Sequence, residues 1–150
     1  MEIKDYNSAQ IYLDNAASYC QEKWGEDSWQ IETNKARLLL ERTMYEKDVA
    51  ASFDNFEEAF ALLYDNQTPD LHYPLRQVSL FRPYYETFYN KFSDREKNIF
   101  LLDCAKMEDK IKDYLLKQKK NVGKGTWKNR SIIKIRKQLE IMRREMVATE

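Results

Sequence analysis

Apolar residues recur at spacings of three and four along most of this chain, the period of one face of an α-helix. Ala9, Tyr12, Leu13, Ala16, Cys20 and Trp24 mark a first helix over about 8–24, with Gly25 placed as its C-terminal stop. A second helix opens near Asp27 or Ser28 and carries Ile31, Leu38, Tyr45 and Val49 on one side, to about 51. Asp54-Asn55-Phe56-Glu57 then reads as the cap of a third, whose stripe is Phe56, Ala59, Phe60 and Leu63 and which ends near Tyr64.

Residues 65–74 read as a long loop, since Asn66, Pro69 and Pro74 each disfavour a continuing helix. The apolar pattern resumes over 75–92, with Arg82-Pro83 set to kink it or split it in two. Within it Phe81, Tyr84, Tyr85, Phe88, Tyr89 and Phe92 form a dense aromatic cluster. Its spacing puts Phe81, Tyr85, Phe88 and Phe92 on one face, so the cluster reads as core in preference to a platform for stacked bases.

Ser93-Asp94-Arg95-Glu96 is a capping box, and the helix behind it carries Ile99, Phe100, Met107, Ile111, Tyr114 and Leu115 to about 120, with Asp103 as the one polar residue on the stripe. The last helix, over about 131–147, presents Ile132, Ile135, Leu139, Met142 and Met146 as a seam. So short a seam predicts docking onto the chain's own helices rather than a coiled-coil dimer. Only three Gly and three Pro punctuate the 150 residues, too few for the turns of an all-β domain. The expected fold is all-α, a compact bundle-like or orthogonal assembly of five or six helices in a single domain over 1–150.

Composition narrows the function classes. No stretch approaches the ~20 consecutive apolar residues of a membrane span, and the N-terminus lacks a secretory pattern, so a cytoplasmic, intracellular protein is expected. Cys20 and Cys104 have no metal or redox spacing and read as buried reduced thiols. The single histidine, His72, sits beside Tyr73-Pro74 as a turn residue, with no ligand or nucleophile spacing around it. Gly123-Lys124-Gly125-Thr126 lacks the earlier glycine and the strand of a phosphate-binding loop and reads as a hinge. No cofactor, metal, small-molecule substrate or catalytic constellation is implied, and the expected class is a binding protein rather than an enzyme.

The net charge of zero hides a gradient. Residues 1–103 hold 11 Lys and Arg against 19 Asp and Glu, whereas 104–150 hold 14 against 6. Between Lys117 and Arg144 eleven cations face a single carboxylate, Glu140. Such density suits a polyanion, because each cation that neutralises a phosphate releases condensed counterions. DNA or RNA is therefore the expected partner of the basic segment. Its candidate contacts are Lys119, Lys120, Lys124, Lys128, Arg130, Lys134, Arg136 and Lys137, with Trp127 placed to stack on a base or sugar. The seam turns Lys134, Lys137 and Arg144 outward and leaves Arg136 and Arg143 at its flanks. Three other readings compete with this one: a merely solvated cationic face, pairing with the chain's own acidic part, and an interaction module or inhibitor. In the last, Asp48, Asp54, Glu57, Glu58, Asp65 and Asp70 engage a basic protein.

Overall fold

A computed structural model of the chain describes residues 5–25, 28–68, 70–122 and 127–148, with backbone alone for 118–122 and 127–129. Among the described residues every regular element is helical, which makes the fold all-α. In chain order these are α1 Tyr6–Trp24, α2 Trp29–Glu46, α3 Val49–Tyr64, the short α4 His72–Arg76, α5 Phe81–Phe88, α6 Asp94–Val122 and α7 Trp127–Ala148. Single 3-10 turns, Gln77–Leu80 and Tyr89–Lys91, precede and follow α5. The chain divides into two compact units, Met1–Thr68 and Pro69–Glu150.

In the first unit α1 begins two residues before its expected start, because the Asp5 carboxylate caps it. That carboxylate accepts from the Ser8 amide at 3.0 Å and the Ser8 hydroxyl at 2.7 Å. The two bonds, backbone first, hold the Asp5 carboxyl below its ordinary value. At the other end Gly25 takes a left-handed conformation, φ 76°, and returns its amide to the Gln21 carbonyl. The expected stripe of α1 is only partly buried. Leu13 and Cys20 face inward, but Tyr12 is 74% exposed and Trp24 63% exposed. Among the described residues α1 packs chiefly along α2, which covers a narrower stripe than the sequence offers.

The boundary between α2 and α3 differs from the expected one. α2 stops at Glu46, where Lys47 turns left-handed at φ 52°. Asp48 then caps α3 by accepting from the Ala51 amide at 3.2 Å. Asp54-Asn55-Phe56-Glu57 lies inside α3, so no cap forms there. Tyr45 and Val49, expected on a buried face, are exposed. The α2 side facing α3 instead contains threonines whose hydroxyls are fully used. Thr33 donates to the Trp29 carbonyl at 2.8 Å and accepts from the Asn66 amide at 3.2 Å. Thr43 donates to the Leu39 carbonyl at 2.6 Å and accepts from Asn55 at 2.8 Å. Ala36, Leu40, Phe53, Phe56, Ala59, Phe60 and Leu63 supply the apolar core around these pins.

The second unit opens where a long loop was expected. Asp70 Oδ1 accepts from the His72 amide at 3.2 Å, a side-chain turn that starts α4. His72 therefore lies in a short helix and is buried, not in an open turn. Pro74 and Pro83 each fall in the first turn of a helix, where a missing N–H costs no intrahelical bond. The chain is accordingly split ahead of Pro83, at the 3-10 turn. In α5 the fully buried ring beside Phe81 and Phe88 is Tyr84 rather than Tyr85; spacings of three and four from Phe81 both lie on one helical face, and packing favours the former. The rings pack on one another, Tyr84 on Phe88 at 4.8 Å and Phe92 on Phe100 at 5.8 Å. The capping box forms as expected. The Ser93 amide donates to Glu96 at 2.8 Å, and the Glu96 amide donates to the Ser93 hydroxyl at 3.2 Å.

Phe100, Cys104, Met107 and Ile111 are enclosed along α6, and Asp103 shares their stripe at 4% exposure. Cys20 and Cys104 are both free thiols. Burial, with the Asp103 charge adding to it, pushes the Cys104 thiol well above its ordinary value of 9.0.

Two outcomes follow from this packing. Phe88→Ala, at a fully enclosed site, should cost about 3–5 kcal/mol, and Asn66→Ala about 1–3 kcal/mol through the acceptors it deserts. Urea midpoints at constant slope would measure both. In alkali the unfolded chain loses the Cys104 proton while the folded chain keeps it. Stability should therefore fall as pH rises through about 9. Tyr85 and Tyr114, whose phenols burial also pushes up, add a decline of the same sign from about pH 10. Denaturant titrations of the chain and its Cys104→Ala variant across this range check the sign, since the variant lacks the earlier part of the decline.

Candidate nucleic-acid interface

The rotation of α7 about its axis decides which of its charges meet solvent. Ile132, Ile135, Leu139, Met142 and Met146 are all buried, as their spacing predicts. They pack on α6, α4 and α5, so the seam is satisfied within this unit. α6 and α7 run antiparallel, since Glu108 pairs with Arg143 while Asn98 and Leu102 lie beside Val147 and Ala148.

Opposite that seam, Arg130, Lys134, Lys137 and Arg144 point outward along one line. Over α7's rise of about 1.5 Å per residue, the first three span about 10 Å and the whole line about 21 Å. No ion pair holds Arg130, Lys134 or Lys137 among the described residues. The cations nearer the C-terminus differ. Arg144 is joined to Glu140 at 2.7 Å, and Arg143 bonds Glu108 across the α6–α7 contact. Arg136 sits half-buried at the edge of the seam, its Nε enclosed without a hydrogen-bond acceptor among the described residues. The open cationic ridge is thus confined to the first half of α7.

Of the sequence-predicted contacts, Arg130, Lys134 and Lys137 are brought together on this ridge, and Arg136 is turned away from it. The side chains of Lys119, Lys120, Lys124, Trp127 and Lys128 lie outside the described residues, as does the hinge expected over 123–126. Two ridge residues were missed by counting charges. Ile133 and Ile141, 40% and 50% exposed, interleave with the cations. They fall out of phase with the seam, which is the signal that would have found them.

The acidic residues of the competing reading are divided between the two units. Asp48 caps α3, Asp65 ends it, and Asp70 belongs to the second unit, where it holds the His72 amide. Asp54 and Glu58 are exposed on α3, and Glu57 is half-buried with one carboxylate oxygen enclosed. The charge gradient nevertheless coincides with the structural division. The first 68 residues hold 6 Lys and Arg against 14 Asp and Glu, and the remaining 82 hold 19 against 11.

Among the described residues no helix is long and apolar enough to cross a membrane, and no group of three or more His, Cys, Asp or Glu is placed to hold a metal ion. Compared with known protein families, with characterised proteins and with solved structures, the chain matches none.

Proposed function

We propose that this is a non-enzymatic, intracellular accessory or regulatory protein that binds nucleic acid through the basic C-terminal segment, with α7 as its described contact surface. The observation that supports the reading is the line of outward Arg130, Lys134 and Lys137, free of intramolecular ion pairs among the described residues and anchored from behind by a fully buried seam. A cation already paired with a carboxylate gains little from a phosphate. A solvated one gains the full counterion-release term. The seam fixes the helix's rotation, so the three cations are presented together at small ordering cost.

A second reading belongs to the first unit. Its net charge of −8 and the outward Tyr12, Tyr19 and Trp24 of α1 suit a basic protein partner, captured by charge and aromatic contact. Such capture would persist after nuclease treatment and would not need the α7 cations.

The first reading predicts binding to labelled nucleic acid that weakens steeply with salt. Changing Arg130, Lys134 and Lys137 to Gln should reduce the log–log salt slope by about one for each phosphate that is no longer neutralised, and affinity at low salt by about 10-fold or more. The helical circular dichroism of this variant should equal that of the parent, since all three positions are exposed. No binding by the folded parent at low salt would contradict the proposal.

A further inference from the structure

We infer that the open ridge of α7 docks on the outward face of α3 in a second copy of this chain, a head-to-tail contact held by opposite charges. The contact needs neither nucleic acid nor a foreign partner, so it goes beyond both readings above and stands or falls without them.

Two unpartnered helix faces, each within its own unit, meet in this contact. On α3 the buried Phe53, Phe56, Ala59, Phe60 and Leu63 turn Asp54, Glu58, Ala61 and Asp65 outward in one line. All four are exposed, and no ion pair engages the three carboxylates among the described residues. On α7 the buried seam turns Arg130, Lys134 and Lys137 outward in the same way. The unit that bears the carboxylates has a net charge of −8, from 6 Lys and Arg against 14 Asp and Glu, and the unit that bears the ridge has +8, from 19 against 11. Opposite fields of this size draw the acidic unit of one copy to the basic unit of another.

The spacing matches as well as the sign. Glu58 and Asp65 stand seven residues apart, as do Arg130 and Lys137, about 10 Å of helix in each case. The macrodipoles set the direction. Asp65 lies at the C-terminal end of α3, where unbonded carbonyls add to its negative charge, and Arg130 lies near the start of α7, where unbonded amides add to its positive charge. Each charge is unfavourable at its own helix end and favourable at the other's. Antiparallel docking therefore sets Asp65 on Arg130 and Glu58 on Lys137. The same register brings Ile133, 40% exposed, against the half-buried Leu62, and Asp54 between Lys137 and Arg144. An aliphatic contact thus lies between two charge pairs.

Exposed pairs of this kind are individually weak, so half-association is expected on the order of 100 μM. While a second copy covers it, the ridge cannot take a polyanion, and the concentrated chain becomes its own competitor.

Sedimentation equilibrium of the nuclease-treated chain tests the inference, from about 10 to about 500 μM, at about 20 mM and about 500 mM salt. The expected mass rises above that of the monomer with concentration at low salt and stays at the monomer value at high salt. Glu58→Gln with Asp65→Asn should abolish the rise, and so should Arg130→Gln with Lys137→Gln. An equimolar mixture of these two variants should recover association, because each keeps the face that the other has lost. Asp14→Asn with Glu22→Gln removes the same charge from exposed positions of α1 and should change the association constant by less than about twofold. Every substituted residue is exposed, so helical circular dichroism should be unchanged. A monomer at every concentration in low salt would overturn the inference, and is the result expected if the chain's own carboxylates hold the ridge. A loss as large in the α1 variant as in the α3 variant would overturn it too, as would a mixture that fails to associate.

Discussion

The burial of one stripe of α7 governs what the second unit can do. Ile132, Ile135, Leu139, Met142 and Met146 are enclosed by α6, α4 and α5, and five such side chains cannot be turned to water without a cost of several kcal/mol. Once that stripe is fixed, the opposite line of the helix is fixed as well. Arg130, Lys134 and Lys137 are held outward by their spacing from the seam, whatever they bind. The same rotation brings Arg143 to Glu108 and leaves Arg136 wedged at the margin. A helix with eleven cations in and around it thereby offers only a few of them in the open, among the described residues.

Most of this was legible in the sequence of the second unit, because its core obeys a simple rule. The seam of α7, the capping box at Ser93 and the stripe of α6 are apolar or capping signals with no competitor, and each forms as its spacing predicts. The exchange of Tyr85 for Tyr84 escaped because adjacent tyrosines at three and four residues from Phe81 give the same periodicity, and only packing distinguishes them. Which cations are spent inside the unit was hidden for a different reason. Arg143 and Arg144 find their carboxylates through tertiary position and helix spacing, and a count of charges does not distinguish a paired arginine from a solvated lysine.

The first unit resisted reading because part of its core is polar. Thr33, Thr43, Ser52 and Asn66 are buried with hydrogen bonds to neighbouring carbonyls or to each other, so the apolar stripe of α2 has gaps where the packing has none. A search for hydrophobic periodicity replaces those positions with Tyr45 and Val49, which face water. The break at Lys47 escaped for a related reason, since a lysine in a left-handed turn carries no composition signal, unlike Gly25. The boundary between the units, in contrast, has an electrostatic mark: the excess of carboxylates ends where the first unit does, and every excess cation belongs to the second.

The central claim is that position on α7, not net charge, confers affinity for nucleic acid. The most direct measurement compares two variants that each remove two positive charges from the second unit. One carries Lys134→Gln and Lys137→Gln on the ridge. The other carries Lys91→Gln and Arg95→Gln, exposed residues that are not on α7. Binding to one duplex at one low salt concentration should fall about 10-fold or more in the first variant and stay within about twofold of the parent in the second. Equal reductions in the two variants would contradict the account, because charge alone would then explain the affinity and the orientation of α7 would explain nothing.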